Sequence, residues 1–460
     1  MSEEYSGFKI FNLPPKYFAL FALVVFLATL LGVLPAGMAG CFAFMIVCGA
    51  ILQEIGDHLP IVRSLLGGGP ILIIFGMGYL RYMNFFGVFD MFSGIIAKGG
   101  EGYTATLMKN IDTFFKPAGA FLDFYIAALI TGSILGMNRK LLVKAAARYF
   151  PAIFGAIAVS FGLAAAAGHF SGFGIIKAIL LIALPIMGGG MGAGAVPLSK
   201  IFESTGTMSA EEAISIMNPA VAIGNATSIV LAGIIVKVLA SKALNGQGSL
   251  MKVGSADASE YEISPEMQAK RDKISVANLG IGLLAATSFF AWGYIVAGAW
   301  NKLVPAVNIH AYAWMIISVA LCKVFNVLPE FIEVACYQWF QFVMKNLTAM
   351  LMVGIGLCYL SLNVVIESFS MTYLLLCFLT CIGAFVGAAL IGGIVGFFPV
   401  EAGITAGLCM SNMGGTGDVA VLSAAHRMEL MPFAQISSRL GGAIILIIGS
   451  LMLSTLGSML

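Results

Sequence analysis

Apolar runs of membrane-crossing length recur along the whole chain, near residues 17–36, 39–56, 70–86, 121–137, 150–168, 174–187, 218–240, 275–299, 309–326, 347–362, 371–398 and 431–456. A helix needs about 20 apolar residues to cross the hydrocarbon core of a bilayer. The runs therefore predict an all-α polytopic membrane protein with roughly eleven to thirteen membrane segments, some of them re-entrant. A membrane barrel would show short strands of alternating polarity, whereas these runs are continuous and rich in Leu, Ile, Ala and Gly. A soluble fold is excluded on composition: with 60% hydrophobic and 10% charged residues there is too little polar surface to cover one.

The polar remainder gives orientation and removes several function classes. The opening segment MSEEYSGFKIFNLPPKYF places acids first and has no basic region before a cleavage site, so it reads as a retained cytoplasmic tail. The loop NRKLLVKAAAR carries Arg139, Lys140, Lys144 and Arg148 without an acid and should face the cytoplasm. A formal net charge of +2 gives no reason to expect a nucleic-acid partner. The eight cysteines lie mostly inside apolar runs, with no CxxC pair or Cys/His cluster, and read as buried small hydrophobes. Gly190, Gly192 and Ala195 fit a GxGxxA pattern with Glu211 downstream. That pattern follows a membrane-length run and recurs later without its acid, so no organic cofactor is expected.

One polar stretch, residues 241–273, reads as a cytoplasmic linker between two halves. On this division residues 1–38 form the amino-terminal tail and first membrane helix. Residues 39–240 form a first repeat with a hairpin at 185–199, and residues 274–460 a second repeat with a hairpin at 400–423. The first hairpin contains PIMGGGMGAGAVPLS and the second SNMGGTGDVAVLS. With Gly192 laid on Gly417, Gly189 meets Gly414, Gly190 meets Gly415, Ala195 meets Ala420 and Val196 meets Val421. Matched glycine-interrupted segments in two halves point to a secondary transporter whose broken helices meet near the bilayer midplane. Irregular backbone survives at that depth only when buried in protein or lining a wet cavity. The two turns are therefore expected to be hairpin tips facing one site; tight helix packing by small residues is the competing reading of either turn taken alone.

Glycine admits unusual backbone angles and lets a ligand approach peptide groups closely. Helix amino termini suit an anion and helix-ending carbonyls suit a small cation, so the pair of turns suggests an anionic solute carried with Na⁺ or H⁺. Arg439 lies inside an apolar run, where a lipid-facing guanidinium costs about 2.5–3.5 kcal/mol on insertion scales. It should face a cavity or a partner, and its planar fork suits a carboxylate; snorkelling or a pair with Asp418 are the alternatives. Arg427, His426 and Glu429 read as a solvated connection. Asn225 is a polar candidate whose competing role is an interhelical hydrogen bond.

The segments GGGMGAGAVPLSKI, FFPVEAGITAGLCMSNMGGTGD and RMELMPFAQISSRLGGA resemble the 2-hydroxycarboxylate transporters, which include bacterial Na⁺-dependent citrate and malate symporters. The resemblance covers nearly the whole chain. It implies a non-enzymatic elevator-type carrier: a homodimer in the bacterial inner membrane, with two inverted repeats and a transport domain moving against a dimerisation scaffold. Carried over residue by residue, it implies one Na⁺ near the Ile186 and Gly189 backbone, Cys409 and Asn412, and another near Met410, Asn412 and Ser438. Substrate carboxylates would meet Arg439, Gly192 and Thr416, with Gly415 allowing close approach. The citrate-carrier pattern has Asn at the position of Met191 and Arg at that of Met413. Losing both contacts disfavours a tricarboxylate, so malate is expected over citrate. A different class, the membrane subunit of a Na⁺-pumping decarboxylase, is the alternative.

Overall fold

The computed structural model describes residues 8–60, 69–93, 102–115, 120–137, 139, 146–240, 243–251, 264–304, 309–427 and 430–460. These residues are helical in the main, and the chain divides into two compact units, one of Met1–Tyr125 with Val343–Leu362, the other of Ile126–Phe342 with Asn363–Leu460.

The first unit contains α1 (Pro15–Leu30), α2 (Met38–His58), α3 (Gly69–Tyr82), α4 (Val88–Ser93) and α5 (Tyr103–Phe115). Pro15 opens α1 where a missing N–H is harmless. Asn84, at φ +52, lies at a break where Leu72–Tyr82 and Phe85–Phe92 meet at 61°. A Cβ on Gly49 of α2 would sit 2.8 Å from the Ala349 backbone, so this glycine permits backbone contact within the unit. The buried Tyr125 hydroxyl lies 2.8 Å from that of Thr348.

From the boundary onward the helices are α6 (Phe121–Leu135), α7 (Ala146–Phe170), α8 (Ile175–Lys177), α9 (Leu184–Met187), α10 (Val196–Ser204) and α11 (Ala210–Val238). Next come α12 (Pro265–Asp272), α13 (Val276–Leu303), α14 (Ala311–Val324), α15 (Glu330–Gly354) and α16 (Leu362–Ser368). The chain finishes with α17 (Met371–Ile394), α18 (Pro399–Ala402), α19 (Gly415–Ala424), α20 (Met431–Ile436) and α21 (Gly442–Leu456). Stretches of π-helix at Ala178–Ala183, Met191–Ala195, Gly403–Leu408 and Ser437–Gly441 lie around the glycine turns, a placement common at functional sites. Helix starts follow their local chemistry: Ser209 accepts from the Glu212 N–H at 3.2 Å to open α11, and Ser370 from the Tyr373 N–H at 3.2 Å to open α17.

Two series share one order. A long helix, a short broken helix, a glycine tip and another helix appear as α7, α8–α9 and α10, then again as α17, α18 and α19. The long helices α7 and α17 cross antiparallel on small residues. A Cβ on Gly387 would lie 2.0 Å from the Gly155 carbonyl oxygen, and one on Gly383 2.6 Å from Ser160 Cα. The Ser160 hydroxyl donates to the Thr380 carbonyl at 2.8 Å. Backbones can approach this closely only where side chains are missing or small.

Among the described residues, seven helices are long and apolar enough to cross a membrane, or eight with the bent α3–α4 pair; four shorter apolar helices, including α1, α6 and α14, accompany them. The expected eleven to thirteen segments are reached only if the shorter helices also insert. The count differs because α1, α6 and α14 are helices of only 16, 15 and 14 residues, so an apolar run does not always form a helix long enough to cross. Of the basic loop, residues 138 and 140–145 lie outside the described residues, while Arg139 donates twice to the Val324 carbonyl at 3.1 and 3.0 Å. The tail residues 1–7 and linker residues 241–242 and 252–263 also lie outside them.

Candidate functional site

At the first tip, α9 ends at Met187 and the chain turns through Gly188, Gly189 and Gly190. Gly189 has φ +82 and Gly190 φ +105, angles that favour glycine. Space forbids any other residue as well. A Cβ on Gly189 would lie 2.5 Å from the Ser438 carbonyl oxygen, and one on Gly190 2.8 Å from the Met413 carbonyl oxygen. Ile186 and Met191 are buried and Gly192 half-buried, so this tip presents backbone and apolar side chains only. Carbonyls at the end of such a helix lack intrahelical donors and are open to a cation.

The second tip is built differently. Cys409, Met410, Ser411 and Asn412 are all fully buried in the turn that follows the Gly403–Leu408 π-helix. The Gly414 N–H donates to Asn412 Oδ1 at 2.7 Å, and Asn412 Nδ2 donates to Asp418 Oδ1 at 3.0 Å. The other oxygen of Asp418 accepts from the Ser438 hydroxyl at 2.8 Å. Asp418 is thus a fully buried carboxylate joining the residues expected beside Na⁺, Asn412 on the tip and Ser438 on the π-helix before α21. Gly415 and Thr416 form the first turn of α19, and a Cβ on Gly417 would lie 2.8 Å from Asn225 Oδ1.

The two tips meet backbone to backbone. Gly190 lies against Met413, and a Cβ on Gly414 would sit 3.0 Å from the Gly189 carbonyl oxygen. Each is also braced by the opposite half. Asn225 on α11 accepts from the Met413 N–H at 3.1 Å, while the Ser438 carbonyl abuts Gly189. The interhelical bond considered for Asn225 therefore exists, and it lands on the second tip.

Arg439 is half-buried, with its guanidinium carbon 5.9 Å from the centre of the Phe340 ring. It forms no hydrogen bond or ion pair among the described residues; Asp418, its considered partner, bonds Asn412 and Ser438 instead. No group of three or more His, Cys, Asp or Glu side chains suited to a metal occurs among the described residues. The local donors are amide, hydroxyl, carbonyl and carboxylate oxygens, which suit a hard cation. Fixed positive charge nearby suits an anion.

Two acids were missed as structural centres. Asp418 has no periodic signature; its one signal is its position six residues after Asn412, across the helix start. Glu401 is fully buried. Its carboxylate accepts from the N–H groups of Gly246 at 2.8 Å and Gly248 at 3.3 Å, and from Arg427 Nε at 3.2 Å. Arg427 also donates to Asn245 at 2.9 Å. This corrects the reading of Arg427 as part of a solvated connection: a buried carboxylate requires a paired charge. His426 is exposed as expected, and Glu429 lies outside the described residues.

Comparison with known proteins identifies the lineage. The 2-hydroxycarboxylate transporter family matches residues 10–451, and the chain belongs to that family. It is 36% identical over 454 residues to a citrate/sodium symporter of Salmonella typhimurium, covering 97% of this chain and 95% of that protein. It is 35% identical over 447 residues to the malate transporter MleP of Lactococcus lactis, covering 97% of each. A citrate transporter, CitP, of Leuconostoc mesenteroides is 35% identical over 437 residues, covering 95% of this chain and 92% of that one. These relatives are named as transporters.

Proposed function

We propose that this family member is a secondary active transporter that moves a 2-hydroxy dicarboxylate, malate, together with Na⁺ across the bacterial inner membrane by alternating access. The observation that carries the reading is the meeting of the two glycine tips beside Asn412, Asp418 and Ser438, with Arg439 carrying positive charge close by. In this reading one Na⁺ takes oxygens from Ile186, Gly189, Cys409 and Asn412, and a second takes them from Met410, Asn412 and Ser438. Asp418 supplies compensating negative charge and holds Asn412 and Ser438 in place. Substrate carboxylates are taken by Arg439, by N–H groups at Gly192 and by the first turn of α19 at Gly415 and Thr416. Because the tips touch, a cation that orders one backbone also shapes the anion site on the other, which is a physical route to coupling.

The antiparallel crossing of α7 and α17 supports inverted repeats within residues 39–240 and 274–460, joined by the 241–273 linker. Elevator-type movement and a homodimer complete the proposal on family grounds. The transporter names of the relatives weigh against a decarboxylase subunit. Citrate is the second reading, because the citrate and malate relatives are 35–36% identical to this chain alike. Malate is preferred because Met191 and Met413 offer thioethers where the citrate pattern has an amide and a guanidinium, and a buried carboxylate without such partners is costly.

Uptake of labelled malate and labelled citrate by proteoliposomes, each with and without an inward Na⁺ gradient, tests this. The expected result is Na⁺-driven malate uptake with little citrate uptake. Equal or better citrate uptake would overturn the malate preference, and no Na⁺ effect on either would overturn the coupling.

A further inference from the structure

The linker holds a further guanidinium, and this one is buried. Arg271, at the end of α12, is only 6% exposed, yet Nε and Nη1 have no hydrogen-bond partner among the described residues; there Nη2 alone is engaged, donating to the Gly136 carbonyl at 2.7 Å. Unpaired charged donors are among the most expensive groups to bury. Nor is the arrangement loose. Gln338 Nε2 donates to the carbonyls of Lys270, Arg271 and Lys273 at 3.1, 3.0 and 3.1 Å, fixing the end of α12 to α15. The nearby acid Glu333 is committed to Lys323 at 2.6 Å, and its remaining oxygen does not reach Arg271.

The position of Arg271 relates it to the candidate site. Its guanidinium carbon lies 4.4 Å from the centre of the Tyr337 ring, and the Tyr337 and Phe340 rings are 6.3 Å apart on one face of α15. Arg439 lies over Phe340. Two guanidinium groups thus occupy neighbouring aromatic rings, one extending from the helix after the second tip and the other from the linker. Burial lowers the pKa of Arg271 from its ordinary value, and the positive charge of Arg439 adds to this; Tyr337, Glu333 and Asp272 partly offset it. Two guanidinium groups on neighbouring rings, one of them with two nitrogens unpaired among the described residues, suit an anion.

We infer that Arg271 is a specificity-determining residue of the carrier, receiving the carboxylate of a di- or tricarboxylate that Arg439 leaves free. The inference rests on the proposed transport function and deepens it. The linker then takes part in cargo selection, and a second charge-assisted contact exists although Met413 supplies none. A 2-hydroxy monocarboxylate has no second carboxylate and does not use Arg271.

The test is uptake of labelled malate by proteoliposomes of wild type, Arg271→Gln and Arg271→Lys, with lactate, malate and citrate as unlabelled competitors. Arg271→Gln should raise the malate half-saturation constant about tenfold while leaving lactate competition within about twofold. Arg271→Lys, which keeps the charge but loses the fork, should fall between, and it carries the test if the Gln variant fails to fold. Wild-type vesicles that take up no carboxylate would overturn the transport reading and the inference with it. Wild-type uptake with equal shifts for lactate and malate, or with neither shifted, would overturn the inference alone.

Discussion

The two glycine tips occupy equivalent places in the chain and do different chemical work. The tip at residues 188–195 presents peptide groups and apolar side chains, and Gly189 and Gly190 are pinned by left-handed angles and by contacts that exclude a Cβ. The tip at residues 409–418 carries Asn412 and Asp418, tied to each other and to Ser438. Two tips can therefore share a backbone device without sharing side chains. One copy supplies shape and peptide dipoles, while the other supplies charge and oxygen donors. The first should be intolerant of any added atom, and the second of altered polarity.

The largest expected effect is at the first tip. Gly189→Ala adds a Cβ against the Ser438 carbonyl at an unfavourable φ, and should reduce malate uptake below about 1% of wild type while the protein still reaches the membrane. Arg439→Cys should reduce uptake to a similar extent with folding intact, because it removes the fixed charge; unchanged transport by that variant would remove Arg439 from the site. Next is Asp418→Asn, which keeps the shape and removes the charge. Charge-assisted hydrogen bonds contribute about 1.5–3 kcal/mol, so the Na⁺ half-saturation constant should rise about 10- to 100-fold. A change in malate affinity at saturating Na⁺ with no change in Na⁺ dependence would contradict the division of labour between the tips.

Smaller still is the effect of restoring polar contacts. Met191→Asn combined with Met413→Arg should shift the citrate-to-malate uptake ratio toward citrate by about tenfold, within the range of one or two specificity contacts. The smallest effect is at His426, exposed beyond the second tip. His426→Ala should leave uptake within about twofold and stability within about 0.5 kcal/mol.

Much of this contrast is legible in the amino-acid sequence. Glycine clusters separated by apolar runs announce themselves because residue type and backbone angle are linked, and the register of Gly189 with Gly414 joins two positions that meet in space. Arg439 stands out in the sequence for a similar reason, since a charge inside an apolar run demands a partner, and the structure sets it near the Phe340 ring. Long-range pairing of isolated polar residues was not readable. Glu401 and Arg427 lie 26 residues apart, and Asn245 is 182 residues from Arg427, so neither pairing leaves a periodic trace. The segment count differs for another reason: hydropathy measures apolar length, whereas α1, α6 and α14 are helices of only 16, 15 and 14 residues, short of a full span.

The most direct measurement of the central claim is the Na⁺ dependence of malate uptake by proteoliposomes of wild type, Asn412→Ala and Met191→Ala. Asn412 bonds within the second tip and to Asp418, whereas the Met191 side chain offers no oxygen. The account predicts saturable Na⁺ activation in wild type, about a tenfold or greater rise in the Na⁺ half-saturation constant for Asn412→Ala, and an unchanged constant for Met191→Ala. Uptake independent of Na⁺ in wild type, or an equal shift in both variants, would contradict the assignment of ion chemistry to the second tip.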